Sequence, residues 1–229
     1  MAQMTKSAAA IKKRRRRIRL LKIRRALFLC LCLALAVGSV VLIDKIFGIT
    51  DTYSNNKQLK ALKNTKIPDW IDVQLIDNGR ARSGDSLDKV SDIVIHYVGN
   101  PSTSAQNNRD YFNQKDTEVC SHFVVGLEGE IIQCLPLYER SVASNSRNRD
   151  TISIEVCHPD VSGEFNEDTY NSLVRLVAWL CDVSGIDADN VIRHYDVIGK
   201  HCPLYYVEHE DAWEKLKEDI AQEYKNRGE

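Results

Sequence analysis

The stretch DIVIHYV, residues 92–98, reads as a buried strand carrying a histidine near its end. β-Branched residues dominate it, it is short, and it runs into the loop signal Val98-Gly99-Asn100-Pro101. SHFVVG (121–126), EIIQCL (130–135) and TISIEVC (151–157) share its character, and Leu127-Glu128-Gly129 suits a hairpin turn between the first two of these. Helical patterns alternate with the strands. NEDTYNSLVRLVAWLCDVSG (166–185) opens on the start signal Asn166, carries acids in its first turn, places apolar residues at 173, 176, 177, 180 and 181, and stops at Gly185. EHEDAWEKLKEDI (208–220) repeats this logic with Trp213, Leu216 and Ile220, and SAQNNRDYFNQ (104–114) is a less regular third helix. The predicted fold is α/β, or α+β: a central mixed β-sheet flanked by helices over residues 68–229.

The chain ahead of this domain differs in kind. The net charge of −1 over 229 residues hides eleven Lys and Arg and no acid in residues 1–25, which leaves about −12 on everything after them. The basic run KKRRRRIRLLKIRR leads into ALFLCLCLALAVGSVVLI, eighteen uncharged residues at 26–43. A helix of that length just spans the roughly 30 Å hydrocarbon core, and positive charge ahead of it keeps the N-terminus in the cytoplasm. The expectation is a basic cytoplasmic head (1–25), one N-terminal transmembrane helix acting as signal anchor (26–43), a polar linker or loosely held stalk (44–67) and an extracytoplasmic domain (68–229). A signal peptide cleaved after Ala36-Val37-Gly38, with secretion of the rest, is the competing reading. A nucleic-acid-binding arm explains the basic run less well than a neighbouring span does, so no nucleic acid is expected. Cys30 and Cys32 read as apolar residues of the span.

Polar residues at strand ends are the candidates for chemistry. His96 ends one apolar strand, His194 ends the short run NVIRH, and Cys202 follows the Gly-containing loop of RHYDVIGKHCP (193–203). A lone strand histidine is ordinarily a hydrogen-bonded core or surface residue. Two imidazoles and one thiolate from three separated segments instead make a three-ligand zinc site with the fourth position open, the arrangement of a catalytic site. Glu155, inside the apolar run Ile152-Ser153-Ile154-Glu155-Val156-Cys157, is either a salt-bridged strand residue or the group that moves protons.

IVIHYVGNP, SAQ, SHFVVGLEGEIIQCLPL, DTISIEVCHPD and VIRHYDVIGKHCP, in this order and spacing, resemble the zinc-dependent N-acetylmuramoyl-L-alanine amidases of the type-2 amidase family, which includes phage lysozyme-like amidases and is related to peptidoglycan recognition proteins. The resemblance covers about residues 70–222. It implies one Zn2+ per chain held by His96, His194 and Cys202, with Glu155 as acid/base residue and Lys200 as a cation near the scissile carbonyl. It also implies the substrate, peptidoglycan, cut at the amide between N-acetylmuramic acid and L-alanine of the stem peptide. The different-class alternative is a module that binds muropeptide without cutting it, which loss of the cysteine ligand would favour. A monomer is expected, and a host remodelling enzyme is not separated from a phage-type lysin.

Two departures from the family pattern stand out. Ser121 occupies a position where some members carry a tyrosine, which shifts weight onto Glu155, and SVASNSRN (141–148) replaces an aromatic-histidine pair, leaving Asn145 to line the groove. His158, three residues after Glu155, is a candidate substrate contact. His122 reads as a strand residue facing a neighbour, His201 as pointing away from the site and His209 as solvated. Of the remaining cysteines, Cys120 and Cys134 lie on the two arms of the proposed hairpin and are the candidate disulfide, the others reading as small buried apolar residues.

Overall fold

The computed structural model describes residues 22–25, 27–30, 32, 38 and 49–227. Most of the expected span at 26–43 lies outside the described residues, and no helix among the described residues is long and apolar enough to cross a membrane. The described residues from 54 onward form one compact unit.

Six strands build one mixed sheet in that unit: β1 (Asp72–Val73), β2 (Asp92–Tyr97), β3 (Phe123–Val125), β4 (Ile131–Gln133), β5 (Thr151–Val156) and β6 (Val191–Arg193), in the spatial order β1-β4-β3-β5-β2-β6. Only β3 and β4 are antiparallel, closed by the hairpin at 126–130 with Gly129 at φ 77°. The remaining pairs are parallel. Parallel strands are covered on both faces, which is why β2 and β5 read as nearly continuous apolar runs.

Alternation along the strands divides two cores. Ile93, Ile95, Phe123, Val125, Ile152, Ile154 and Val156 face the larger one. There α3 (Glu167–Ser184) buries Leu173, Leu176, Val177 and Leu180, and α6 (Glu210–Arg227) buries Trp213, Leu216 and Ile220. Each fully buried Leu, Val or Ile is worth roughly 1.5–3 kcal/mol relative to exposure. Val124, Ile132 and Cys157 face the smaller core, together with Ala105 and Phe112 of α2 (Ala105–Phe112). The end signals of α3 act as the sequence implies: Asn166 accepts from the Thr169 N–H, and Gly185 takes φ 65°. Two short helices, α4 (His194–Ile198) and α5 (Leu204–Glu208), flank the loop that carries Cys202.

Two expectations are corrected. The stalk at 44–67 is helical over α1 (Ile49–Asn64), and the half of it inside the compact unit is fastened rather than loose. Leu62 is buried in the larger core, and the Gln58 carboxamide donates to the Val90 and Ser184 carbonyls while accepting from the Val90 N–H at 2.8 Å. The Cys120–Cys134 pair is not formed. Cys134 sits opposite His122, whose carbonyl accepts its N–H, whereas Cys120 pairs with Val142 and donates its thiol to the Ala81 carbonyl. Burial pushes the Cys120 thiol up to about 11 and that of Cys134 up to about 12.

Candidate active site

The register of β2 against its two neighbours assembles the site. His96 stands opposite Glu155 on β5, and because both alternate with residues of the larger core, both project from the other face of the sheet. The pairing of Ile95 with Arg193 brings the next residue, His194, to the level of His96. His194 opens α4, whose position is fixed by Arg193: that buried guanidinium bonds Asp196, Glu210 and the Tyr206 carbonyl. Gly199, at φ 73°, ends α4 and turns the chain back, and the Tyr195 N–H then donates to the Cys202 carbonyl at 3.0 Å. The site therefore forms at the carboxyl ends of the parallel strands, where open α/β sheets bind ligands.

His96, His194 and Cys202 are buried, and their donor atoms lie within 4.8 Å of one another. Nδ1 of His96 is 3.1 Å from Nδ1 of His194 and 3.9 Å from Sγ of Cys202. The outer nitrogens are partnered too: His96 Nε2 is 3.2 Å from Ser144 Oγ, and His194 Nε2 is 2.7 Å from Asn145 Oδ1. Burial, then the neighbouring His194 and Lys200, hold the His96 imidazole well below its ordinary range, and burial with Lys200 lowers His194. Both rings are thereby kept neutral, the state in which imidazole binds a metal. Burial, reinforced by Glu155, pushes the Cys202 thiol up to about 12, so a bare thiolate is disfavoured there without a cation.

Beside this cluster opens a cavity of about 360 Å³ whose wall includes Tyr97, Phe112, Asn148, Glu155 and Lys200. Glu155 is half-buried, and its Oε2 is enclosed with no hydrogen-bond partner. Burial drives its carboxyl from 4.5 up to about 8, opposed in part by Lys200. A half-buried carboxyl with one enclosed, unpartnered oxygen at a cavity wall is costly to stability and characteristic of a reacting group.

The structure brings together His96, Glu155, His194, Lys200, Cys202 and Asn145 around one cavity. It does not bring His158 there. That ring is 1% exposed, its Nδ1 donates to the Asp160 carbonyl at 2.6 Å and it lies 5.0 Å from the Tyr97 ring, so the expected substrate contact is corrected to a buried support behind Tyr97. Ser121 is fully buried and donates to the Phe123 carbonyl. His122 is held by Ser153 and the Glu139 carbonyl, with burial lowering it to about 4. His201 and His209 are exposed. Ser144 and Asn148 escaped the sequence reading. Their only sequence signal is that they occupy the segment SVASNSRN, where the resemblance fails.

Comparison with known proteins identifies the group to which this architecture belongs. The profile of the N-acetylmuramoyl-L-alanine amidase family matches residues 86–205, just over half of the chain. The chain belongs to this family. The amidase CwlL of Bacillus licheniformis is 32% identical over 148 residues, covering 57% of this chain and 40% of CwlL. The amidase BlyA of Bacillus subtilis (strain 168) is 29% identical over 164 residues, covering 62% of this chain and 44% of BlyA. The match thus spans about two-fifths of the length of these relatives. The catalytic domain of XlyA superposes with a TM-score of 0.57 at 27% identity, covering 66% of this chain and 98% of that domain. All five of His96, Glu155, His194, Lys200 and Cys202 lie inside the amidase-family match.

Proposed function

We propose that the chain is a zinc-dependent peptidoglycan amidase that hydrolyses the amide between N-acetylmuramic acid and the L-alanine of the stem peptide. The observation that carries this reading is the convergence of His96, His194 and Cys202 beside the unpartnered carboxyl of Glu155. Two neutral imidazoles and a thiol at mutual distances of 3.1 and 3.9 Å come within about 0.3 Å of the spacing in a tetrahedral zinc site, where ligand atoms stand about 3.4–3.7 Å apart. When bound, zinc supplies a Lewis acid that lowers the pKa of water toward ~7 and polarises a carbonyl.

The protein's own groups do the rest. The cavity at the strand ends admits the lactyl-alanine amide, with the apolar side chain of Phe112 and the ring of Tyr97 excluding bulk water from its walls. As water adds to the amide carbonyl, Glu155 takes its proton and hands that proton to the departing alanine nitrogen. The C–N bond breaks, leaving a carboxylic acid on the muramic acid and a free alanine amine. Lys200 favours the ionised form of Glu155 and places positive charge where the carbonyl oxygen becomes negative. A non-cutting muropeptide-binding module would have no use for the enclosed carboxyl or the third, cysteine ligand.

Placement forms part of the proposal. Eleven cationic residues ahead of the eighteen uncharged residues 26–43 suit a single-pass signal anchor with the catalytic unit on the wall side. The cleaved signal peptide is the alternative. Metal content tests the site: the purified chain is expected to carry close to one zinc, and Cys202→Ser and His96→Ala to lower occupancy, since a hydroxyl is a poor substitute for a soft thiolate. Full occupancy in both variants sinks the assignment.

A further inference from the structure

The turn at 144–148 touches both histidines of the site and occupies the stretch where the family resemblance fails. Ser144 and Asn145 are consecutive, yet each side chain meets the outer nitrogen of a different ring: Ser144 that of His96 at 3.2 Å, Asn145 that of His194 at 2.7 Å. The two contacts differ chemically. A hydroxyl donates or accepts, so Ser144 accommodates either tautomer of His96. An amide oxygen only accepts, so Oδ1 of Asn145 requires a hydrogen on Nε2 of His194 and leaves Nδ1 as a bare lone pair. That lone pair is directed at Nδ1 of His96, in the cluster that also holds the Cys202 sulfur.

The backbone is built to hold this contact. Asn145 has φ 53°, in the left-handed region that asparagine tolerates better than other non-glycine residues. The carboxamide oxygen of Asn148 accepts from the N–H groups of Ala143 and Ser144 at 3.1 and 2.7 Å, and the Asn148 N–H donates to the Asn145 carbonyl at 3.2 Å. Asn145 opens a single 3-10 turn (Asn145–Arg147) that is pinned from both sides, and from it the side chain meets a histidine 49 residues away.

We propose that Asn145 is a positioning residue, which fixes His194 as the Nε2–H tautomer and so presents its Nδ1 lone pair to the metal. This refines the zinc reading above and rests on it, but the tautomer itself is measurable without metal. Ligating histidines are commonly oriented by such an outer acceptor, whose loss typically lowers metal affinity 10- to 100-fold. The residue lines the cavity as expected, and its amide oxygen is in addition committed to His194.

The test uses the full chain with three substitutions: Asn145→Ala, Asn145→Gly, which also relieves the left-handed backbone, and Asn145→Asp, which keeps an acceptor oxygen in place. Imidazole 15N shifts of the metal-free chain report the His194 tautomer, chelator competition reports zinc affinity, and thermal denaturation checks folding. Wild type is expected to show His194 as Nε2–H. The alanine and glycine variants are expected to mix tautomers and lose zinc affinity by about 10- to 100-fold, and the aspartate variant to keep both within about threefold. The proposal is overturned by an Nδ1–H tautomer in wild type, by unchanged affinity in the alanine or glycine variant, or by an aspartate variant that fails as the alanine one does. A wild type that binds no zinc but shows the Nε2–H tautomer overturns the metal reading and leaves the role of Asn145 standing.

Discussion

Replacing Glu155 by glutamine separates the proton-transfer role proposed for this carboxyl from its structural cost. In the metal-free chain burial raises this carboxyl from 4.5 to about 8. The folded state then keeps a proton that the unfolded chain releases near pH 4.5, so between pH 4.5 and 8 the native state binds more protons and stability falls as pH rises. The penalty is absent below pH 4.5 and complete above about 8; at about 1.4 kcal/mol per pH unit the interval bounds it at roughly 5 kcal/mol. Glutamine keeps the size and does not titrate. Urea unfolding of chelator-treated wild type and Glu155→Gln at pH 5 and pH 8.5 is therefore expected to show the variant gaining on wild type by about 2–5 kcal/mol between the two conditions. Other titrating groups cancel in this double difference. Turnover of the zinc-loaded variant is expected to fall by ~10²-fold or more with zinc content near normal. A stability difference that stays the same at both pH values refutes the account of a desolvated, unpartnered carboxyl, and unchanged turnover moves proton transfer to another group.

Three further outcomes are expected. Lys200→Met removes the one charge that opposes burial at Glu155, so the carboxyl should titrate still higher and turnover should fall by ~10-fold or more, read from the alkaline shift of the stability profile and from initial rates. Gln58→Ala removes three hydrogen bonds near the start of β2, far along that strand from His96, and should cost about 1–3 kcal/mol in urea unfolding while kcat stays unchanged. In cells stripped of wall, external protease should release the catalytic unit and leave a short membrane-bound stub; a free protein in the medium starting near Ser39 would instead establish a cleaved signal.

The parts of the fold visible in the sequence are those governed by local periodicity. β2 and β5 announce themselves as buried runs, and α3 is delimited by Asn166 and Gly185, because capping and alternation act within a few residues. α1 is invisible to that reasoning: it is polar, few of its residues touch the core, and its hold depends on Gln58 meeting Val90 and Ser184, 32 and 126 residues away. β1 is two exposed residues and carries no pattern of its own. In the site, His96, His194, Cys202 and Glu155 stood out in the sequence as polar residues ending or interrupting apolar runs, and the register of β2 with β5 and β6 explains why His96, His194 and Glu155 meet. Proximity to Glu155 in sequence misleads for His158, because the chain leaves the sheet after Val156 and turns that ring into the protein behind Tyr97. Ser144 and Asn145 reach the histidines across 48 and 49 residues through a turn, and no local pattern encodes such a contact.

The central claim is tested most directly by mass spectrometry of purified peptidoglycan digested with the zinc-loaded chain, with the chelated chain and Cys202→Ser in parallel. Each cut should add one water, freeing a stem peptide with a new L-alanine amino terminus and a glycan strand bearing an intact lactyl carboxylate, only when zinc is bound. Intact peptidoglycan with all three samples, or products opened at a glycosidic or cross-linking peptide bond, would contradict it.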